Sequence, residues 1–193
     1  MKSAVVLVAD GTEEIEALTV VDYLRRAGVE TRVVSVKREK SVVMSHGVKV
    51  EADFDSSLIY DYITLEERLP DALIIPGGMP GSTNIASNRD ARELVCLMND
   101  RALLVCAICA APAVVLAPAD ALSGKEWTCY PGMEDEKGAS CYKHSFKAER
   151  VVHSGNLITA RGPGVAEEFA MEIVRTLAGD ETAEKIKAAS VQR

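Results

Sequence analysis

The chain has 193 residues, 48% of them apolar and 26% charged, with a formal net charge of −7. That balance describes a globular chain long enough for a substantial core, and it argues against a disordered segment or a general nucleic-acid binder, which needs a basic stripe to neutralise phosphates. Five cysteines without framework spacing fit a reducing cytosol, and His46, His144 and His153 show no metal spacing with them; with no signal-peptide core and no apolar span of about 18 residues, neither a zinc site, a secreted scaffold nor a membrane anchor is expected.

The first predicted element is a buried parallel strand over residues 4–9, read from an unbroken apolar run. Asp10-Gly11-Thr12 follows as a turn, with Asp10 or Thr12 available to cap a helix. That helix covers 14–27, with Ile15, Leu18, Val21 and Leu24 spaced for one apolar face, Arg25 and Arg26 in its last turn and Gly28 as the stop. A second strand over 31–36 completes a strand–helix–strand unit, the opening of a parallel α/β sheet. Residues 42–50 read as a hairpin or edge excursion turning near Gly47. Residues 56–68 mix a helical charge pattern with Tyr60, Tyr62 and Ile63 and define no clear element. A third buried strand over 73–75 ends in Pro76-Gly77-Gly78, and 89–99 is a helix.

The apolar run 102–109 suits another buried strand, and 110–116 reads as a helix with Pro112 in its first turn, where a missing N–H costs little. The stretch 124–153 looks irregular, with short strands near 127–129 and 150–152. A last strand over 156–160 leads into Arg161-Gly162-Pro163-Gly164; an amphipathic helix over 165–177 closes at Gly179, and 182–189 is a short terminal helix. With no repeat and no linker, the expectation is a single domain over 1–193: a flavodoxin-like, doubly wound, mostly parallel sheet with helices on both faces, an α/β/α sandwich.

In such sheets ligands bind outside the carboxyl ends of the strands, and three strand ends here carry unusual residues. Cys109 falls at a strand-to-helix corner, where its side chain would leave the sheet edge over a helix N-terminus that favours a thiolate. A buried structural cysteine is the competing reading, and it fits Cys106 well. The two are spaced C-x-x-C, but an odd separation along a strand turns side chains to opposite faces, so no redox disulfide is expected. Gly77-Gly78 is either a plain turn or a pair of amides, free of Cβ atoms, that can approach a carbonyl as it becomes negative. Glu13, Glu14 and Glu16 open a helix, where acids are ordinarily surface groups favoured by the dipole. Glu16 stands next to Ile15, core-facing by period, and is expected half buried with a raised pKa, able to donate to a thiolate. Periodicity alone does not separate Glu14 from Glu16.

Taken in order, Asp10-Gly11-Thr12-Glu13-Glu14-Ile15-Glu16, Pro76-Gly77-Gly78, Ala107-Ile108-Cys109-Ala110-Ala111-Pro112 and Arg161-Gly162-Pro163-Gly164 resemble the ThiJ/PfpI superfamily, on the branch of the parkinsonism-associated protein deglycase (the DJ-one-like branch). The resemblance extends over nearly the whole chain. It implies that Cys109 is the reactive, oxidation-sensitive cysteine and Glu16 the protonated glutamate bonded to its sulfur. It implies that Gly77 and Gly78 supply an oxyanion hole with the Ala110 amide nearby, and that Arg161, Gly162 and Pro163 wall the pocket. It also implies a cytoplasmic homodimer using the first helix, with Ile15, Asp22 and Arg26, and the region around His46. Many members carry histidine in a T-H-P context near the cysteine; here Thr128-Cys129-Tyr130-Pro131 puts Tyr130 there, a poor base at neutral pH. The implied activity is a glyoxalase or deglycase on α-oxoaldehydes such as methylglyoxal and glyoxal, or on their amine adducts. It would need no cofactor and no metal, its Cys109 thiol lowered into the ~3.5–7.5 range of activated thiols. The alternative is an oxidative-stress sensor or chaperone in which Cys109 climbs to a sulfinate held by Glu16. A cysteine peptidase of the PfpI type is disfavoured, because the base that directly follows its nucleophile is replaced by Ala110.

Overall fold

The computed structural model describes residues 1–65 and 68–192. It opens with strand β1 (Ser3–Val8), helix α1 (Glu14–Arg26) and strand β2 (Glu30–Ser35), paired in parallel as Ser3 with Glu30 through Val8 with Ser35. Strands β3 (Ser41–Val43) and β4 (Lys49–Glu51) form a separate antiparallel hairpin that turns at Gly47, whose φ of +85° glycine adopts without penalty. Helix α2 (Ser57–Leu65) occupies the ambiguous stretch; Glu66 and Glu67, inside that expectation, lie outside the described residues. Strand β5 (Ala72–Ile75) is followed by helix α3 (Gly81–Ser87), which the sequence reading did not anticipate, and by α4 (Arg89–Asp100). Strand β6 (Leu104–Ile108), strands β7 (Val151–Ser154) and β8 (Leu157–Ala160), and helices α5 (Ala166–Ala178) and α6 (Asp180–Ala189) complete the order.

The six-stranded sheet among the described residues runs β2-β1-β5-β6-β8-β7, parallel throughout except for the antiparallel edge pair β7–β8. Alternation divides the side chains of β1 between two apolar layers. Ala4, Val6 and Val8 meet Val20, Leu24, Phe169 and Ile173 from α1 and α5, whereas Val5 and Leu7 meet Ile59, Leu94 and Met98 from α2 and α4. Each such fully buried side chain contributes about 1.5–3 kcal/mol by leaving water. The flavodoxin-like α/β sandwich expected from the sequence is therefore the fold observed. Because β2 and β5 flank β1 on opposite sides, the strand order reverses at β1, and the carboxyl ends of β1, β5 and β6 stand side by side at that crevice.

Two local expectations fail for identifiable reasons. Neither Asp10 nor Thr12 caps α1: Asp10 accepts from Lys37 Nζ at 2.7 Å and the Val43 amide at 2.9 Å, while Thr12 Oγ1 accepts from the Ala9 amide at 2.9 Å. Ile15 and Leu18 do not face the core but are 53% and 39% exposed, because the inward stripe of α1 runs through Glu16, Ala17, Val20, Tyr23 and Leu24. The segment after β6 also departs from a regular helix. Residues Pro112–Leu116 form a π-helical turn, with the Ala117 amide donating five residues back to Pro112, and then tighten into a 3₁₀ turn over Ala117–Ala119.

Candidate functional site

Cys109 follows the last residue of β6, and its backbone adopts φ +64°, a left-handed conformation that a side-chain-bearing residue rarely holds. Two bonds fix it there: its amide donates to Ala160 O at 2.9 Å, and its carbonyl accepts from the Tyr130 amide at 2.8 Å. The reversal resets the strand's alternation, so Cys106, Ile108 and Cys109 all face the α1/α5 layer, and the expectation that the two cysteines point to opposite faces is corrected. Cys106 is fully buried, and desolvation holds its thiol well above the ordinary value, while Cys109 is half-buried. Only the latter sulfur is both accessible and surrounded by polar groups.

Glu16 resolves the choice among the three acids. Glu14 faces the hairpin, accepting from Ser45 Oγ at 2.8 Å and the His46 amide at 3.1 Å, whereas Glu16 is completely buried beside Cys109. The Gly77 amide donates to Glu16 Oε2 at 2.7 Å, and Glu16 Oε1 is buried with no hydrogen-bond partner among the described residues. A bare carboxylate oxygen is costly in that position; a protonated one is less so. Burial accordingly raises the Glu16 pKa to about 7, with the nearby Glu13 charge adding to the rise.

Gly77 and Gly78 are required by contact. A Cβ on Gly77 would stand 2.5 Å from Cys109 Cβ and 2.7 Å from Glu16 Oε2; one on Gly78, at φ +88°, would stand 2.5 Å from Glu13 N and Gly11 O. The Gly77 amide is committed to Glu16, so the expectation of two glycine amides facing a substrate oxygen narrows to one. The Gly78 and Ala110 amides lie against the Cys109 sulfur, where they lower its pKa and are within reach of an oxygen formed on a carbon bonded to it. These discrete donors do the work the sequence reading gave to a helix dipole, since the turn that follows is too short and irregular to supply one.

The thiol itself does not fall into the activated range. Burial and the adjacent Glu16 carboxylate push Cys109 up to about 12. The two groups compete for a single negative charge, as neighbouring carboxylates do in an acid dyad: the first proton leaves the pair near neutrality and the second is held far above it. What the geometry favours is thus one shared proton between sulfur and carboxylate rather than a free-standing thiolate.

Tyr130 is 50% exposed, and its ring lies against Gly162, 3.4 Å from where a Cβ would stand. With Pro131, Arg161, Gly162 and Pro163 it lines a cleft of about 310 Å³, joined to the cysteine through the Tyr130 amide. Glu13, Glu14 and His46 bring three potential ligand atoms within 4.8 Å of one another, but both carboxylates already accept from Ser45 Oγ at 2.8 Å. No helix among the described residues is long and apolar enough to cross a membrane.

An elbow cysteine sharing its proton with a buried carboxylic acid, at the crevice of a flavodoxin-like sheet, defines a class of cysteine-centred α/β proteins. The chain belongs to the DJ-1/PfpI family, whose model matches residues 2–176. It is 35% identical over 192 residues to Protein DJ-1 homolog B of Arabidopsis thaliana, covering 100% of this chain but 42% of that protein, so it spans less than half of that relative's length. It is 33% identical over 181 residues to the glutathione-independent glyoxalase DJR-1.2 of Caenorhabditis elegans, covering 93% of this chain and 91% of that one. The structure of oxidized Toxoplasma gondii DJ-1 superposes with a TM-score of 0.89 at 36% identity, covering 99% and 98% of the two chains.

Proposed function

We propose that the chain is a cofactor-independent glyoxalase, acting on small α-oxoaldehydes such as methylglyoxal or on the adducts they form with amines. The observation that carries this reading is the orphaned, buried Glu16 Oε1 beside Cys109, a proton store next to a nucleophile. As the sulfur adds to the aldehyde carbon, its proton passes to Glu16 and the new oxyanion meets the Gly78 and Ala110 amides. Glu16 returns that proton to the oxyanion, which gives a hemithioacetal and restores the carboxylate. It then takes the C–H proton of the former aldehyde carbon and delivers it to the neighbouring carbonyl carbon, while the hemithioacetal hydroxyl proton moves to the neighbouring oxygen, leaving a thioester of a hydroxy acid. Water releases the acid and restores the thiol. Oxidation of one carbon is balanced by reduction of the next, so the chemistry calls on no external electron acceptor. On an aminocarbinol adduct the C–S bond would form as the C–N bond breaks, with the proton from the thiol passing through Glu16 to the leaving amine. Tyr130 is a weak base, which leaves the proton traffic to Glu16. The likeness to a named glutathione-independent glyoxalase supports the reading. The test is methylglyoxal consumption and lactate formation without glutathione; Cys109→Ser should abolish both, and full activity in that variant overturns the proposal.

A second reading has its own support, since a relative's structure is of an oxidized form. A Cys109 sulfinate would find the Gly78 and Ala110 amides and a protonated Glu16 already placed as donors. Mass spectrometry after mild peroxide separates the two: a selective gain of two oxygens at Cys109 with negligible turnover favours sensing. We further propose a homodimer through α1, whose Ile15 and Leu18 present apolar surface to solvent.

A further inference from the structure

The protein carries a net charge of −7, yet the cleft that Tyr130 lines is flanked by Arg150 and Arg161. They are differently engaged. Arg150 binds Glu168 through Nε at 3.0 Å and Nη2 at 2.5 Å, so its charge is matched. Arg161 is half-buried, and among the described residues its guanidinium makes a single long hydrogen bond, Nη1 to Ala148 O at 3.4 Å, with no carboxylate partner. Across the same cleft the Tyr130 hydroxyl has no hydrogen-bond partner among the described residues. A half-buried guanidinium with no carboxylate partner among the described residues is open to one, and its fork fits a carboxylate with two parallel bonds.

The remaining walls, Pro131, Pro163 and Val165, are apolar, and the volume of about 310 Å³ suits a molecule of a few carbons. The cleft is tied to the nucleophile through one residue: Tyr130 donates its amide to the Cys109 carbonyl and contributes its ring to the cleft. From this placement we infer that the preferred substrates are α-oxoaldehydes bearing a carboxylate at the far end of a short aliphatic chain. The aldehyde meets Cys109 and the carboxylate meets Arg161, with the Tyr130 hydroxyl as a further donor. Arg161 is then a specificity residue and takes no part in the proton transfers. The inference rests on the reading of Cys109 as the attacking nucleophile.

The test compares 4,5-dioxopentanoate with its uncharged counterpart 2-oxopentanal, in the full-length wild-type chain and in Arg161→Gln and Arg161→Lys. The wild type should show kcat/KM about 10- to 100-fold higher for the carboxylate, a preference carried by KM; it should collapse in Arg161→Gln and return in part in Arg161→Lys. Equal kcat/KM for the two substrates in the wild type overturns the inference and leaves the proposed activity standing. Because loss of turnover on both substrates would refute the activity instead, a second measurement reads the cleft without catalysis: the rate ratio of iodoacetate to iodoacetamide at Cys109. That ratio should fall about tenfold or more in Arg161→Gln. An unchanged ratio overturns the inference whatever the enzyme turns over.

Discussion

Replacing Glu16 by glutamine keeps the shape of the side chain and removes its titration, which makes the cost of burying this acid measurable. In the folded chain the Glu16 pKa stands at about 7 against an ordinary 4.5, with burial the largest cause. The native state therefore holds its proton more tightly than the unfolded chain does. Stability from this group is complete below pH 4.5, falls as pH rises through the interval, and is lost above about 7. The displacement corresponds to about 3 kcal/mol. Cys109 does not interfere, because its raised value places its own contribution well above this window. Urea unfolding of the wild type and Glu16→Gln, measured from pH 4.5 to 8 under reducing conditions, should show the difference in unfolding free energy moving by about 3 kcal/mol in favour of the glutamine variant as pH rises. A difference that stays constant across that range would refute the assignment of a buried, proton-holding carboxyl.

Cys109 alkylation should stay slow through neutrality and rise only at alkaline pH, because burial and the Glu16 charge push its thiol up to about 12; Glu16→Gln should move that rise to lower pH, while Cys106 stays unlabelled throughout, and peptide mapping after iodoacetamide reads both. Glu16→Gln should lower methylglyoxal turnover by about 10²- to 10⁴-fold, the usual contribution of a positioned acid–base group, and a smaller loss would move the proton transfers elsewhere. Gly77→Ala drives a methyl into Cys109 Cβ and Glu16 Oε2, so it should cost about 1–3 kcal/mol in urea unfolding and disable the site together. Ile15→Glu places a charge on the exposed apolar part of α1; under the proposed dimer, light scattering should report twice the chain mass for the wild type and the single-chain mass for the variant.

The sheet was legible because its inner strands are buried along nearly their whole length. Runs such as Val5-Val6-Leu7-Val8 and Leu73-Ile74-Ile75 have no other way to satisfy their apolar surface, and their order along the chain with intervening helices dictates the parallel layout. Helix α3 escaped because Gly81–Ser87 offers Ile85 alone as a large apolar anchor, and its neighbours are small or polar. The inward face of α1 was misjudged for a chemical reason. Hydrophobic periodicity assumes that charged residues face water, and here the stripe passes through a glutamate, so the pattern selected Ile15 in place of Glu16. Cys109 could be singled out by its corner position, but not the left-handed backbone or the two amides that set its surroundings. Those depend on Gly78 and on the Ala160 and Tyr130 contacts, which are remote in sequence.

The π-helical turn after Cys109 has an implication for chain length. Its surplus residue lets Val114 and Ala117 find carbonyl partners while the Ala110 amide stays aimed at sulfur. Excising any single position from 113–116 would restore ordinary helical winding and swing everything upstream by about 100°. The thiol would then lose an amide without any change to the residues around it. The spacing behind the nucleophile thus helps to place its neighbours, and directed-evolution libraries built only from substitutions would never sample it.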